Sequence, residues 1–459
     1  MYKKLGNLFR DREFFRALLK IALPITIQNF IASSLNMVDT LMIGKVQSYK
    51  IESLAAVGIA NQYFFFFNLI IFGIYSGCCI FIAQYWGKED IKSIRKVLGL
   101  SLISGSVIAI IFTIMALIAP NFIISLFNKD AKVIALGVDY LEIVVISYIF
   151  TSISFAFSFA CRSVRQAKIP MFVSVIALVV NTVLNYALIF GKFGMPVMGV
   201  KGAALATLIS RVIETSILII LIYSKSEVLN AKIKELIDLD MKFIKNVYKT
   251  ISPVIINETL WALGILIYSM AYGVIGKEAV AAVQICNTVQ NLFYVVITGI
   301  SNSCAIMIGN IIGANNKEKG IDYSYKFSVM GTIVGLFLGI ALIVCAPPIV
   351  GFFNVDKSVY SASISILNIM GVTMAIKVFN RVLVVGILRG GGDTKFSMYL
   401  EVGTVWLVGV PLALLGSYVF NVSLNTLFIL ITMEEVVKFF IGVPRVVSKK
   451  WVRDLVNVN

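Results

Sequence analysis

Histidine is absent from all 459 residues, which excludes imidazole proton relays, His-ligated metals and Ser-His-Asp chemistry. Charge is scarce: Asp, Glu, Lys and Arg make up 14% of the chain against 59% hydrophobic residues, far from the balance of a soluble globular protein. The six cysteines (Cys78, Cys79, Cys161, Cys286, Cys304 and Cys345) fall in or at the ends of apolar runs, without metal-ligand spacing. They are read as small packing residues, so neither a metal site nor a disulfide framework is expected. Paired acids with a nucleophile are also missing, which argues against a membrane-embedded enzyme.

Apolar runs of a length that crosses a bilayer core fill almost the whole chain. Twelve are read, at about 18–45, 53–85, 97–120, 133–161, 169–192, 198–224, 247–274, 280–312, 325–347, 359–388, 397–419 and 424–444. They leave no room for a sizeable aqueous domain, so ATP is not the expected energy source. No cleavable signal peptide is expected; the first run, preceded by Lys3, Lys4, Arg10, Arg12 and Arg16, acts as an uncleaved insertion signal. The formal charge of +16 does not point to nucleic acid. Most of the basic residues lie in alternate loops, such as Lys88, Lys92, Arg95 and Lys96, then Arg162, Arg165 and Lys168, then the stretch from Lys225 to Lys249. The other set of loops holds few, among them Lys129, Lys132 and Lys277. The positive-inside rule then puts both termini in the cytoplasm.

The chain also repeats itself. LKIALPITIQN at Leu19–Asn29 returns as YKTISPVIINE at Tyr248–Glu258, and LAAVGIAN at Leu54 as VAAVQICN at Val280. LFNKD at Leu126 returns as FFNVD at Phe352, and CRSVRQAK at Cys161 as LRGGGDTK at Leu388. An ordered series at nearly constant offset marks a duplication. The expected fold is all-α and integral to the membrane: a lobe of six helices over 1–224, a cytoplasmic linker over 225–246, and a second six-helix lobe over 247–459. Six is even, so both lobes enter from the same side, and a pseudo-two-fold axis along the membrane normal relates them. Transporters built on repeats hold substrate near the midplane and rock one lobe against the other; a channel fits this pattern poorly. The linker spacing of Leu229, Ile233, Leu236 and Ile237 suits a short amphipathic helix.

Polar residues inside the runs are the candidates for chemistry, because a charge in hydrocarbon is costly. Asp39 stands roughly 20 Å beyond Pro24 at 1.5 Å per residue; its repeat counterpart is Tyr268, which makes the acid particular to the first lobe. Asn181 and Asn185 share one helix face at i,i+4, and their counterparts Val408 and Leu412 are apolar. Such a cluster can hold a proton or offer oxygens to sodium, or it can glue helices together. In the second lobe Glu258 is either the partner of a basic residue or a coupling acid. Lys377 either pairs with Glu258 or lines a cavity, with Asn380 and Arg381 close by. Arg211 with Glu214, and Glu434, Glu435 with Lys438, read as local ion pairs. Pro24, Pro253 and Pro411 are expected to kink their helices. The YFFFF run from Tyr63 is expected mostly to face lipid. LRGGGDTK lacks Walker spacing and is read as a tight cytoplasmic turn.

With these residues assembled, the chain resembles the multidrug and toxic compound extrusion (MATE) family over nearly its whole length. The resemblance is carried by P-x14-D in the first run, LAAVGIANQ and AQYWGKED in the second, and NxxxN in the fifth. GVKGAALAT in the sixth, then RGGGDTKF and WLVGVPLA, complete the series. It implies antiport of organic cations or amphipathic drugs against H+ or Na+. By position, Asp39 corresponds to the family's first-lobe coupling acid, with Asn181 and Asn185 as partners and Tyr140 and Thr207 as further members of the cluster. Glu258 resembles a segment-seven acid of some members, although that acid lies eight residues after the proline, where this chain has Trp261. Their segment-ten aspartate has no match, Lys377 being the charge there, so coupling is assigned to the first lobe. The expectation is a monomeric carrier of the plasma (inner) membrane with no cofactor beyond the transported ion and no nucleic-acid partner. A flippase for lipid-linked precursors is the alternative.

Overall fold

Backbone groups in hydrocarbon find no water, so a run of twenty apolar residues satisfies them by coiling into a helix. The computed structural model, which describes residues 11–45 and 50–456, is helical throughout, with no strand among the described residues. The first lobe's helices are α1 (Arg12–Ile43), α2 (Lys50–Gly87), α3 (Ile91–Ile118), α4 (Ala131–Val144), α5 (Ser147–Ser163), α6 (Lys168–Phe190) and α7 (Gly199–Lys225). Those of the second are α8 (Met241–Ile275), α9 (Lys277–Gly313), α10 (Lys317–Gly351), α11 (Lys357–Arg381), α12 (Thr394–Thr404) and α13 (Leu424–Val447). Ten helices are long and apolar enough to cross a membrane, counting α11 and α12 with their continuations to Leu388 and Val419. The bent pair α4 and α5 makes an eleventh span. The twelfth expected span is α13, 24 residues long, whose Glu434, Glu435 and Lys438 dilute its apolar character.

The expected fourth span is thus broken. Its two pieces meet at 49°, and hydroxyls feed the exposed carbonyls of the bend: Ser147 Oγ donates to Val144 O at 2.5 Å and Thr113 Oγ1 to Val145 O at 3.1 Å. A side-chain donor inserted into the helical ladder is a recognised cause of a bend. Helices α1 and α8 continue through Pro24 and Pro253. Around Pro411 the chain widens into π-helical turns at Val405–Gly409 and Leu415–Val419. A third π-helical turn, Val382–Leu388, carries α11 to its end.

Two compact units result, one of Ile27–Ile82 with Asp90–Tyr248, the other of Lys249 onward with Ala83–Glu89 and α1 up to Thr26. In the first unit the linker departs from expectation. Between α7 and α8 only Ile233–Leu236 is helical, and Ile233 and Ile237 are exposed while Leu229 is buried. The amphipathic helix is cut to one turn because polar ties to α3 hold the segment instead. Arg95 donates to Val228 O and Glu227 O at 3.1 and 2.8 Å and meets Glu235 at 2.7 Å; Lys96 reaches Asp238 at 3.0 Å. The Lys232 backbone N–H, with the Arg95 guanidinium, holds the Glu235 carboxyl below its usual value. Leu236 then lies directly on Gly99: a Cβ there would stand 1.8 Å from the Leu236 carbonyl oxygen. Gly99→Ala is expected to cost about 1–3 kcal/mol as an overpacking change and to speed proteolysis within 225–246; unchanged cleavage would show that the linker is not seated there.

In the second unit the glycine-rich stretch is the tight turn expected, for a reason lying elsewhere in the chain. Trp451 is fully buried against Gly391, where a Cβ would stand 2.3 Å from the indole, and Gly392 has φ of 86°, open to glycine at little cost. Asp393, also fully buried, receives Arg445 at 2.6 and 2.8 Å and lies 2.9 Å from Arg453. Gln84 joins the same cluster, accepting the Leu455 N–H at 2.9 Å and donating to Arg453 O at 3.2 Å. The AQYWGKED and RGGGDTKF motifs are therefore packing surfaces for the C-terminal tail.

Candidate functional sites

In the first unit the five residues singled out in the sequence come together. Asp39, on α1, is 7% exposed. The i,i+4 spacing of Asn181 and Asn185 points both amides inward from α6, each fully buried. Asn185 Nδ2 donates to Asp39 Oδ1 in a short hydrogen bond and also lies 3.0 Å from Asn181 Oδ1. Asn181 in turn reaches Ser210 Oγ on α7 at 3.4 Å. Tyr140 and Thr207 border the same small cavity as Asp39, of about 30 Å³. Asn185 Oδ1 is buried with no hydrogen-bond partner. A carboxylate beside a free amide oxygen and a threonine hydroxyl suits one small species, a proton-bearing carboxyl or a dehydrated monovalent ion.

The bend between α4 and α5 brings Tyr148 and Thr151 to that cavity, and Phe64 of the YFFFF run joins them. The run divides by helical face. Phe65 and Phe66 are exposed, as a lipid-facing role requires, whereas Phe67 stacks on Tyr148 at 4.7 Å and the Tyr63 hydroxyl donates to Phe112 O at 2.8 Å. Arg211 and Glu214 pair at 2.7 Å, the local ion pair expected.

The second unit holds a larger charged network, and it separates the alternatives left open for Glu258 and Lys377. Glu258 pairs with a basic residue but does not meet Lys377. Its partner is Arg389, whose Nη1 lies 2.7 Å from Oε1, and Arg389 also lies 3.5 Å from Glu401. Arg389, Glu401 and Glu258 are at most 5% exposed, and Asn257 donates to Glu401 at 2.8 Å. Arg389 is visible in the sequence as the arginine that CRSVRQAK and LRGGGDTK share at their second position. Its first-unit counterpart Arg162 is buried too, donating to Gln28 Oε1 at 3.1 and 2.5 Å. Glu401, on α12, is hidden from sequence reasoning inside an apolar run. Lys377 instead borders a cavity of about 180 Å³.

A correction concerns the acid held to be particular to the first lobe. Tyr268, the counterpart of Asp39, donates a short hydrogen bond to Glu434 of α13. The second unit therefore also has a carboxylate at this point, contributed by its last helix. Aligning repeats compares positions on the same helix and is blind to an acid arriving from another. Lys438 pairs with Glu435 at 3.4 Å, as expected of neighbours at i,i+3.

The MatE family model matches residues 24–187 and 253–415, one stretch in each half of the chain. The chain belongs to the MATE family. Over 444 residues it is 26% identical to the "Probable multidrug resistance protein NorM" of Thermotoga maritima, across 96% of this chain and 93% of that one. It is 23% identical to the uncharacterized transporter YisQ of Bacillus subtilis, across 96% of both. Among solved structures, MATE in the bent conformation and a MOP superfamily transporter from Pyrococcus furiosus Vc1 each superpose with a TM-score of 0.85. Both are 19% identical to this chain and cover 95% of it and 96% of themselves; at that identity the likeness carries the fold alone. The protein is accordingly a multi-pass membrane transporter with the MATE architecture of twelve transmembrane helices in two lobes.

Proposed function

We propose that this MATE transporter exports organic cations or other amphipathic compounds by alternating access, driven by antiport of H+ or Na+ through Asp39. The lobes of that cycle are 1–224 and 247–459, joined by the linker 225–246. It works as a monomer in the plasma (inner) membrane with both termini cytoplasmic, and needs no cofactor other than the ion it carries. The observation that carries this reading is Asp39, buried and hydrogen-bonded by Asn185, at a small cavity that Tyr140 and Thr207 also line. A carboxylate there is held ready to change its bound cation, and each exchange biases how the helices around it pack. Resemblance to a multidrug resistance protein NorM supports the substrate class. The second-unit network has its acid Glu258 engaged by Arg389, which favours coupling in the first lobe.

The direct test uses protein reconstituted in vesicles with a fluorescent organic cation, imposing proton and sodium gradients separately. Movement of the cation under one gradient alone identifies the coupling ion. The basic residues Lys377 and Arg381, which line the second-unit cavity, favour a second reading, a flippase for lipid-linked precursors. Transfer of labelled headgroups across the vesicle membrane, with no gradient-driven movement of the organic cation, would establish that reading instead.

A further inference from the structure

The cavity of the second unit plays no part in that coupling scheme, and its wall holds a lysine with no ion pair among the described residues. Lys377 and Arg381, four residues apart on α11, leave the same helix face, and both line the cavity of about 180 Å³. Every acid that borders it is already engaged. Glu434 accepts the Tyr268 hydroxyl. Glu435 accepts the Asn380 amide at 2.7 Å and lies 3.4 Å from Lys438. Glu401 accepts Asn257 at 2.8 Å and has Arg389 at 3.5 Å and Arg381 at 3.9 Å. Lys377 has no ion pair among the described residues; its ammonium rests 5.6 Å from the centre of the Phe428 ring. Arg381, over the Tyr294 ring at 5.5 Å, leaves its Nε with no hydrogen-bond partner. An ammonium inside a membrane protein is costly unless a counter-charge reaches it; Glu434 and Glu435 act on Lys377 only from beyond ion-pair distance, and its side chain borders the cavity.

We infer that this cavity receives the carboxylate end of an aromatic organic acid or zwitterion, with Lys377 as counter-ion and Arg381 as second donor. Both side chains keep N–H groups free for charge-assisted hydrogen bonds, and Trp261, Tyr294 and Phe428 supply a wall for a flat ring. A permanent cation is a poorer occupant, because Lys377 repels it and Glu401 and Glu435 already have basic side chains within 4 Å. The volume suits a one- or two-ring group, not a whole drug-sized molecule. That such an acid is cargo rests on the transporter reading; that it binds does not.

Equilibrium binding to the full-length protein in lipid nanodiscs tests this with three probes: 2-naphthoate, its methyl ester, and the N-methylquinolinium cation. The naphthoate should bind more tightly than the other two. Lys377→Met should weaken naphthoate by about 10- to 100-fold, the loss of one charge-assisted bond, and leave the ester within about two-fold. Lys377→Arg, which keeps the charge, should retain most of the naphthoate affinity. Naphthoate binding unchanged in Lys377→Met overturns the inference. So does an equal loss of acid and ester, which would make Lys377 a support of the cavity wall, and so does a preference for the quinolinium ion. Gradient-driven transport in vesicles separates the two readings. No transport of any probe, with Lys377-dependent binding of naphthoate intact, sinks the exporter and leaves the site. Transport of cations with no Lys377-dependent acid binding sinks the site alone.

Discussion

Asp39→Asn is expected to abolish gradient-driven transport, lowering the initial rate by about 100-fold or more, the equivalent of roughly 3 kcal/mol at 1.4 kcal/mol per decade. The substitution is nearly isosteric, so the packing around α1 survives while the one carboxyl at the cavity is lost. The Asn185 amide, which now donates to the carboxylate, would meet an amide that can still accept from it. Folding and substrate binding should therefore be close to wild type, and the defect should appear when a gradient is imposed. Asn185→Ala should give a milder loss, since it removes a hydrogen bond to the acid and leaves the acid in place. Normal uphill transport in Asp39→Asn would move the coupling site out of the first lobe, and Glu434, hydrogen-bonded by Tyr268, would be the next acid to substitute.

The second large effect concerns stability. Arg389→Met should destabilise the protein by about 3–5 kcal/mol, read as a large drop in apparent melting temperature in detergent. Arg389 is 1% exposed and sits between Glu258 and Glu401. Removing it leaves buried carboxylates facing each other with fewer counter-charges, and breaking a buried pair on one side costs far more than replacing both partners. Glu258→Gln combined with Arg389→Met should thus recover a large part of the loss, a coupling that a double-mutant cycle measures. Additive effects would mean that the two groups merely share a neighbourhood. Glu258→Gln alone should keep gradient-driven transport if coupling runs through Asp39 as proposed, since Glu258 is engaged by Arg389.

The two units treat the same problem differently. The first keeps its acid on the opening helix, bordered by amides and hydroxyls. The second places a tyrosine there and brings its acid from α13, next to a network of three further basic side chains, Lys377, Arg381 and Lys438. A duplicated chain whose halves held equivalent sites would have no need of this divergence. It fits a division of labour in which one lobe carries the ion and the other meets an anionic group of the cargo.

Membrane insertion and the number of spans are legible in the apolar runs, because a helix is the form that satisfies its own backbone in lipid. The ordered repeat implies two six-helix lobes, and loop charge implies an orientation. The first-unit site is readable as well: Asn181 and Asn185 share a face by helical period alone, and Asp39 stands out as an acid in hydrocarbon. The remainder depends on which helices pack together, a long-range property that no local pattern encodes. Glu258 meets Arg389 in place of Lys377, and Tyr268 meets Glu434, because each partner arrives from a different helix far along the chain. The bend at Val145–Ile146 requires a hydroxyl from α3, and the shape of the glycine turn is set by a tryptophan near the chain's end. Sequence by itself determined where the chain lies in the membrane and which polar groups lie there with it. Tertiary packing decided which of those groups neutralise one another, and so which charges, Asp39 and Lys377 above all, are left to act.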